Sequence, residues 1–256
     1  MTSRLQVNIV LDAHRVIDNL WPNQAEALAN RVLKANFRLY VLSYGHRKMD
    51  CVLHGEKNGR CWEAVLNACK SCIFTKYRTS ANRYVSDFYF RSEGRWVICS
   101  NGGKGETAKK LIWGPMVFVD DNVHNLLDVG EYFPHAVLVL ADAVHGCKDR
   151  ESACALEDGR IVRLCKWKDF LVEKVYVAKA NFDGDAYNRE YGDQYISLCR
   201  GEHIRAHYIG HTESYSCGSW TALIVDRAVG WVPSAYLRSV DEYDLWDGTR
   251  GKYHRN

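Results

Sequence analysis

Two short apolar runs in this chain end abruptly on acids. Val7-Asn8-Ile9-Val10-Leu11 stops at Asp12-Ala13-His14, and Met116-Val117-Phe118-Val119 stops at Asp120-Asp121-Asn122. A carboxylate facing a second acidic pair suits a magnesium ion and a phosphate together, because magnesium takes hard oxygen ligands, commonly one or two carboxylates plus substrate phosphate. Asp12 could then attack phosphorus as a nucleophile and form an acyl phosphate. Ser43, at the end of Arg38-Leu39-Tyr40-Val41-Leu42, could donate a hydrogen bond to that phosphate. A single strand-end acid would read as a cap for a neighbouring helix, but two such ends outweigh that reading.

The elements that must carry these residues are legible in outline. Apolar runs bounded by polar residues read as strands buried on both faces, as in a parallel sheet. In such sheets ligands sit beyond the carboxyl ends of the strands, which is where Asp12, Ser43 and Asp120 fall. Helical spacing of Ala25, Leu28, Ala29, Val32 and Leu33 predicts a helix over Gln24–Ala35, stopped at Asn36. Further helices are expected over Trp62–Ser71, after Asn101-Gly102-Gly103-Lys104-Gly105 through Leu111, and over Val123–Val129, with strands at Trp96–Cys99 and Ala136–Leu140. Alternating strands and helices predict a doubly wound α/β sheet over residues 1–172. Beyond Glu173 no helical periodicity appears. Short Val-, Tyr- and Ile-rich segments between turn clusters such as Asp183-Gly184-Asp185 and Cys217-Gly218-Ser219 predict a small all-β barrel or sandwich over 173–240. A polar tail follows at 241–256.

Bulk properties narrow the partners. The net charge is only +3 and the basic residues are scattered, which argues against nucleic acid, since phosphate binding needs clustered Lys and Arg. No stretch approaches the roughly 20 apolar residues of a membrane helix, and the first strand follows Met1 too closely for a signal peptide. A soluble, intracellular protein with mostly free thiols is expected, despite ten cysteines. Cys51-Val52-Leu53-His54 and Cys69-Lys70-Ser71-Cys72, with Cys61 between them, have the gaps of zinc-ligand pairs. Cys69, however, falls on the apolar face of the expected helix, where a cysteine is usually small core filler. That placement argues against zinc, and no thioredoxin-like context supports a redox pair.

Over residues of about 5–145 the chain resembles the haloacid dehalogenase superfamily. Ile9-Val10-Leu11-Asp12-Ala13-His14 stands as the first motif, Tyr40-Val41-Leu42-Ser43 as the second and Val117-Phe118-Val119-Asp120-Asp121 as the fourth. Lys104 fits the third motif, with Lys109 as the alternative. The resemblance implies a magnesium-dependent phosphohydrolase acting on a phosphorylated substrate. Asp12 would be its nucleophile, Ser43 and Lys104 would hold phosphate, and Asp12, Asp120 and Asp121 would hold the metal. The family's phosphatases carry an aspartate two residues after the nucleophile as acid and base. Here that residue is His14, which can itself move protons near neutral pH.

Residues 175–240 resemble a Src-homology-3 (SH3) domain. Ala178-Lys179-Ala180-Asn181-Phe182-Asp183, Ile196-Ser197-Leu198-Cys199-Arg200-Gly201-Glu202-His203-Ile204 and Gly230-Trp231-Val232-Pro233-Ser234-Ala235-Tyr236-Leu237 follow its three motifs in order. The resemblance implies a groove for proline-rich peptides, whose preformed helix loses little entropy on docking. The groove would use Phe182, Trp220, Pro233 and Tyr236, and Asp185, Glu190 and Asp193 could pair with a ligand arginine. Ala180 replaces the family's first groove tyrosine. Trp220 aligns with either member of its tryptophan doublet, which leaves Ser219 as the other groove candidate. Two functions follow: a phosphohydrolase recruited to proline-rich partners, or an inactive interaction protein whose β module carries the function.

Overall fold

The computed structural model describes residues 6–45, 59–76, 91–92, 95–141, 161–164, 166–191, 194–214 and 218–240. β1 (Asn8–Leu11) is buried along its whole length, as its continuous run of β-favouring residues requires. It lies within an eight-stranded sheet with β2 (Arg38–Gly45), β3 (Cys69–Lys76), β4 (Arg91–Ser92), β5 (Arg95–Asn101), β6 (Met116–Asp120), β7 (Val137–Leu140) and β8 (Ile161–Arg163). The spatial order is β4-β5-β3-β2-β1-β6-β7-β8. Only β4 runs antiparallel to its neighbour.

Side chains of successive strand residues point to opposite faces, and this alternation divides the core in two. On one face, Ala25, Leu28 and Val32 of α1 (Pro22–Lys34) and Cys61 and Val65 of α2 (Gly59–Ala68) cover Ile9, Leu11, Leu39, Val41, Val117 and Val119. On the other, Ala108 of α3 (Lys104–Leu111) and Leu126 and Val129 of α4 (Val123–Tyr132) cover Val10, Leu42, Phe118 and Leu138. The sheet is therefore parallel for seven strands and wrapped on both sides. α1 ends where its sequence says it should: Asn36 adopts the left-handed conformation, with φ 56°, that Asn tolerates after a helix.

A second, antiparallel sheet of five strands follows: β9 (Val172–Ala178), β10 (His203–Ser214), β11 (Gly218–Val225), β12 (Ala228–Pro233) and β13 (Leu237–Val240), in the order β12-β11-β10-β9-β13. Asp226 and Arg227 join β11 to β12 with φ 46° and 74°, the two positive values of a twist-matched two-residue hairpin. The two sheets share one core. Trp167, Phe170 and Leu171 of the connection, and Ile209, Ala222, Ile224, Val229 and Trp231 of the second sheet, continue the cluster that α1 and α2 cover. β10 presses so closely on β8 that a Cβ on Gly210 would stand 2.1 Å from Val162 Cγ1. Arg31 of α1 donates hydrogen bonds to the carbonyls of Trp167, Lys168 and Phe170 at 3.2, 2.9 and 2.7 Å.

Three expectations need correction. The helix read over Trp62–Ser71 ends at Ala68, and Cys69 opens β3. The cluster Asp183-Gly184-Asp185 is not a turn between strands. It begins a helix, α5 (Gly184–Tyr191), which Asp183 caps by accepting from the Ala186 N–H at 2.9 Å. β8, three residues long, was absent from the expected strands. The expected boundary at 172 and 173 falls at the start of β9. Among the described residues no helix is long and apolar enough to cross a membrane.

Candidate functional site

Parallel strands bring all their carboxyl ends to one edge, and β1 and β6 are neighbours with Leu11 opposite Val119. Asp12 follows directly, its N–H donating to the Val119 carbonyl at 2.8 Å, and Asp120 is the last residue of β6. Asp12, Asp120 and Asp121 each present a carboxylate oxygen within 4.8 Å of the others and could hold a metal ion. The first two are buried and the third half-buried.

Lys104 joins them from the first turn of α3. Its amine donates to Asp12 Oδ1 at 2.7 Å and to Asp120 Oδ2 at 2.5 Å, and the residue is 1% exposed. Glycines allow this approach. A Cβ on Gly105 would stand 2.3 Å from the Asp128 carbonyl oxygen, and one on Gly103 would meet the Asp128 carboxylate at 2.9 Å. Asp128 in turn accepts the Gly105 N–H at 2.9 Å. Thus Asn101-Gly102-Gly103-Lys104-Gly105 lets α3 pack against α4 with its lysine over the strand ends. Tyr44 and Phe118 place their rings 5.3 and 5.8 Å from the amine.

Burial opposes the charge on Lys104, but Asp120 and Asp12 outweigh it and hold the amine above its ordinary pKa. Burial also pushes Asp120 up, to about 6, although Lys104 pulls the other way. Its second oxygen accepts from the Asn122 N–H at 2.9 Å and from Asn125 Nδ2 at 3.0 Å. Asp121 is likewise raised by burial and by Asp12, with Arg15 and Lys104 opposing. Three carboxylates against one ammonium leave two negative charges in excess when all are ionised, or one when the exposed Arg15 guanidinium beside Asp121 is counted. That excess, on hard oxygen donors, fits a divalent cation such as magnesium.

The other expected residues are distributed around this core. Ser43 is fully buried on β2, and its hydroxyl has no hydrogen-bond partner among the described residues. His14 lies in the irregular turn after Asp12, its Nδ1 3.6 Å from Asp18 Oδ2 and its side chain 44% exposed. The bond to Asp18 raises the ring's pKa, burial opposes it, and Asp12 adds to the rise. Next to it Arg15, with φ 54°, reaches Asp121 at 3.6 Å. Lys109, the alternative to Lys104, instead lies 5.6 Å from the Tyr132 ring centroid and is exposed. Asp18, Asn122, Asn125 and Asp128 were missed in the sequence because each acts by orienting another group. Of the cysteine and histidine set, Cys61 is buried, with its thiol donating to the Leu20 carbonyl at 3.1 Å. Cys69 and Cys72 have sulfurs 3.9 Å apart, while Cys51 and His54 lie outside the described residues.

The second sheet carries an aromatic cluster. Phe182, nearly buried, stands 5.9 Å from Trp220, 6.3 Å from Tyr236, 5.0 Å from Tyr187 and 6.3 Å from Tyr195, between ring centroids. Tyr187 and Tyr236 are exposed at its rim, and Pro233 pairs with Trp220 across β11 and β12. Tyr187 and Tyr195 were not anticipated. The first rides on α5, the helix the sequence reading took for a turn. Asp185 and Glu190 are exposed on the same helix, and Asp193 lies outside the described residues.

No protein-family model, curated protein or solved structure matches the chain.

Proposed function

We propose that the carboxyl-edge site is a magnesium-dependent phosphohydrolase site of the haloacid dehalogenase type, and that the second sheet is an SH3-like module for proline-rich peptides. The observation that carries the first part is the buried Lys104 amine bridging Asp12 and Asp120 beside Asp121. Magnesium on Asp12, Asp120 and Asp121 would draw charge from the phosphate oxygens and balance the excess carboxylate charge. Lys104 engages Asp12 Oδ1, which leaves Oδ2 as the oxygen to attack phosphorus. The same amine would offset the charge that develops on the phosphoryl group. Ser43 donates its unengaged hydroxyl to a phosphate oxygen. His14, whose pKa the bond to Asp18 raises, gives its proton to the departing oxygen. The neutral ring then takes one from the water that hydrolyses the aspartyl phosphate.

In the second sheet, Phe182 forms the floor of the peptide groove, with Trp220, Pro233 and Tyr236 along it. Asp185 and Glu190 are available to a ligand arginine.

A second reading has its own support. Lys104 satisfies two carboxylates internally, and Asp12 is only 3% exposed, as in a buried charge cluster that merely holds strand ends together. In that case the sheet domain is inactive and the peptide module carries the function. Magnesium-dependent hydrolysis of an aryl phosphate, measured for the wild type and Asp12→Asn, separates the two. The enzyme reading expects turnover that Asp12→Asn abolishes, and equal background rates remove it. Titration with a panel of proline-rich peptides, with Pro233→Leu as control, tests the module. It expects saturable binding that the control weakens.

A further inference from the structure

The pairing of β3 with β2 skips a residue at its start. Leu39 lies opposite Cys69 and Tyr40 opposite Ser71, so Lys70 is an extra, bulged residue. In a regular strand, residues three apart point to opposite faces. One inserted residue makes Cys69 and Cys72 equivalent to residues two apart, which share a face. Both accordingly pack against the core that α1 and α2 cover. Two strand steps span about 6.6 Å, inside the roughly 4.4–6.8 Å between Cα atoms that a disulfide accepts. The sulfurs are already 3.9 Å apart, so bond formation at about 2.05 Å needs only a small approach of the two side chains.

The two thiols differ in access. Cys72 is 5% exposed, whereas Cys69 is half-buried where α2 gives way to β3. Cys69 donates its S–H to the Ser71 carbonyl at 3.1 Å, which holds its sulfur over the bulge. Cys61 is buried, burial raises its thiol pKa, and it donates its S–H to the Leu20 carbonyl, the condition of an inert structural cysteine.

We propose that Cys69 and Cys72 form a reversible dithiol–disulfide couple, oxidised by low-molecular-weight disulfides. The Cys69 thiolate attacks one sulfur of the small disulfide. That S–S bond breaks, one small thiolate leaves, and it takes up the proton lost from Cys69. The Cys72 thiolate then attacks Cys69 Sγ in the mixed disulfide, expelling the second small thiolate, which takes up the proton of Cys72. Two protein thiols are oxidised and one small disulfide is reduced to two thiols. The ring so closed is short, and short loops gain little stability from cross-linking. The bond is therefore exchangeable rather than structural. It would fix the bulge and tie the exit of α2 to the first strand residues beyond it.

Trypsin supplies a direct readout, because Lys70 lies between the two cysteines. Reduced full-length protein is incubated in oxidised glutathione, remaining thiols are alkylated, and the digest is weighed. The expected product is Cys61–Lys70 joined to Ser71–Lys76, two hydrogens lighter than the separate peptides and lost on reduction. The same product from Cys61→Ala assigns the bond to Cys69. Cys72→Ser should accumulate glutathione on Cys69, and Cys69→Ser should leave Cys72 unmodified. Absence of the joined peptide in oxidised glutathione overturns the proposal. So does glutathione on both cysteines without a bond between them, or retention of stoichiometric zinc that blocks alkylation of both.

Discussion

The strand-end site and the aromatic cluster solve opposite problems. At the carboxyl edge of the parallel sheet, four charged groups are concentrated where water is scarce, and each depends on the others. Lys104 is tolerable in the interior only because Asp12 and Asp120 receive its protons, and those carboxylates crowd each other less because the amine stands between them. In the second sheet, Phe182, Tyr187, Tyr195, Trp220 and Tyr236 meet edge to face or tilted, each contributing area and a modest ring–ring preference. A charge network fails as a unit, whereas a set of rings loses strength by degrees.

The largest test of that contrast is Lys104→Met. Removing one partner from a buried ion network costs about 3–5 kcal/mol, because the two carboxylates it served are left facing each other. Chemical denaturation should show that loss, with added magnesium recovering part of it. A loss under about 1 kcal/mol would mean the network is looser than its distances imply. On the aromatic side, Tyr236→Ala should change little in folding, since the ring is 36% exposed. It should weaken binding of a proline-rich peptide by about 1–2 kcal/mol, roughly tenfold, if the cluster is a groove. Equal effects on folding and binding would make the ring a packing element instead.

Proton linkage sharpens the comparison further. Asp120, raised to about 6 by burial, must be ionised to hold magnesium. Magnesium affinity should therefore be full above pH 6, fall as pH drops through that value, and be accompanied there by proton release on binding. Isothermal titration in buffers of different ionisation enthalpy measures this, and a pH-independent affinity between 5 and 7 would contradict it. The smallest effect belongs to the contact between the sheets. His207 of β10 meets the Phe37 ring at 4.9 Å, and burial lowers its pKa below 6.5. A base with a depressed folded pKa contributes stability above its unfolded value that is lost as pH falls through the folded one. Stability should thus decline slightly below pH 6.5, and His207→Gln should flatten that decline in a pH series of melting curves.

Much of the charged site was legible because its chemistry is terminal. Apolar runs buried on both faces can end only where the sheet ends, so Asp12 and Asp120 were marked by the residues before them. Lys104 was reached only through the third motif of the resemblance, with Lys109 as the alternative, and the glycines on either side of it prove to be what lets α3 approach Asp128. The rest was hidden for specific reasons. α2 stops at Ala68 without glycine or proline, and Cys69 continues the apolar spacing of Val65 and Leu66, so the phase of a helix ran on into a strand. α5 opens on residues that also build turns, and it packs through the Tyr187 ring rather than an aliphatic stripe. Its signal was the cap at Asp183. β8 is too short to show alternation, and no pattern along the chain could reveal that the two sheets share a core.

Arg31 gives that shared core a practical corollary. Its guanidinium grips three successive stations along the bridge between the sheets, turning what would be a hinge into a splint. A protease attacking residues 166–171 would have to strip those carbonyls from the arginine before its own cleft could straighten the backbone. Digestion should trim the molecule elsewhere long before it cuts the second sheet loose.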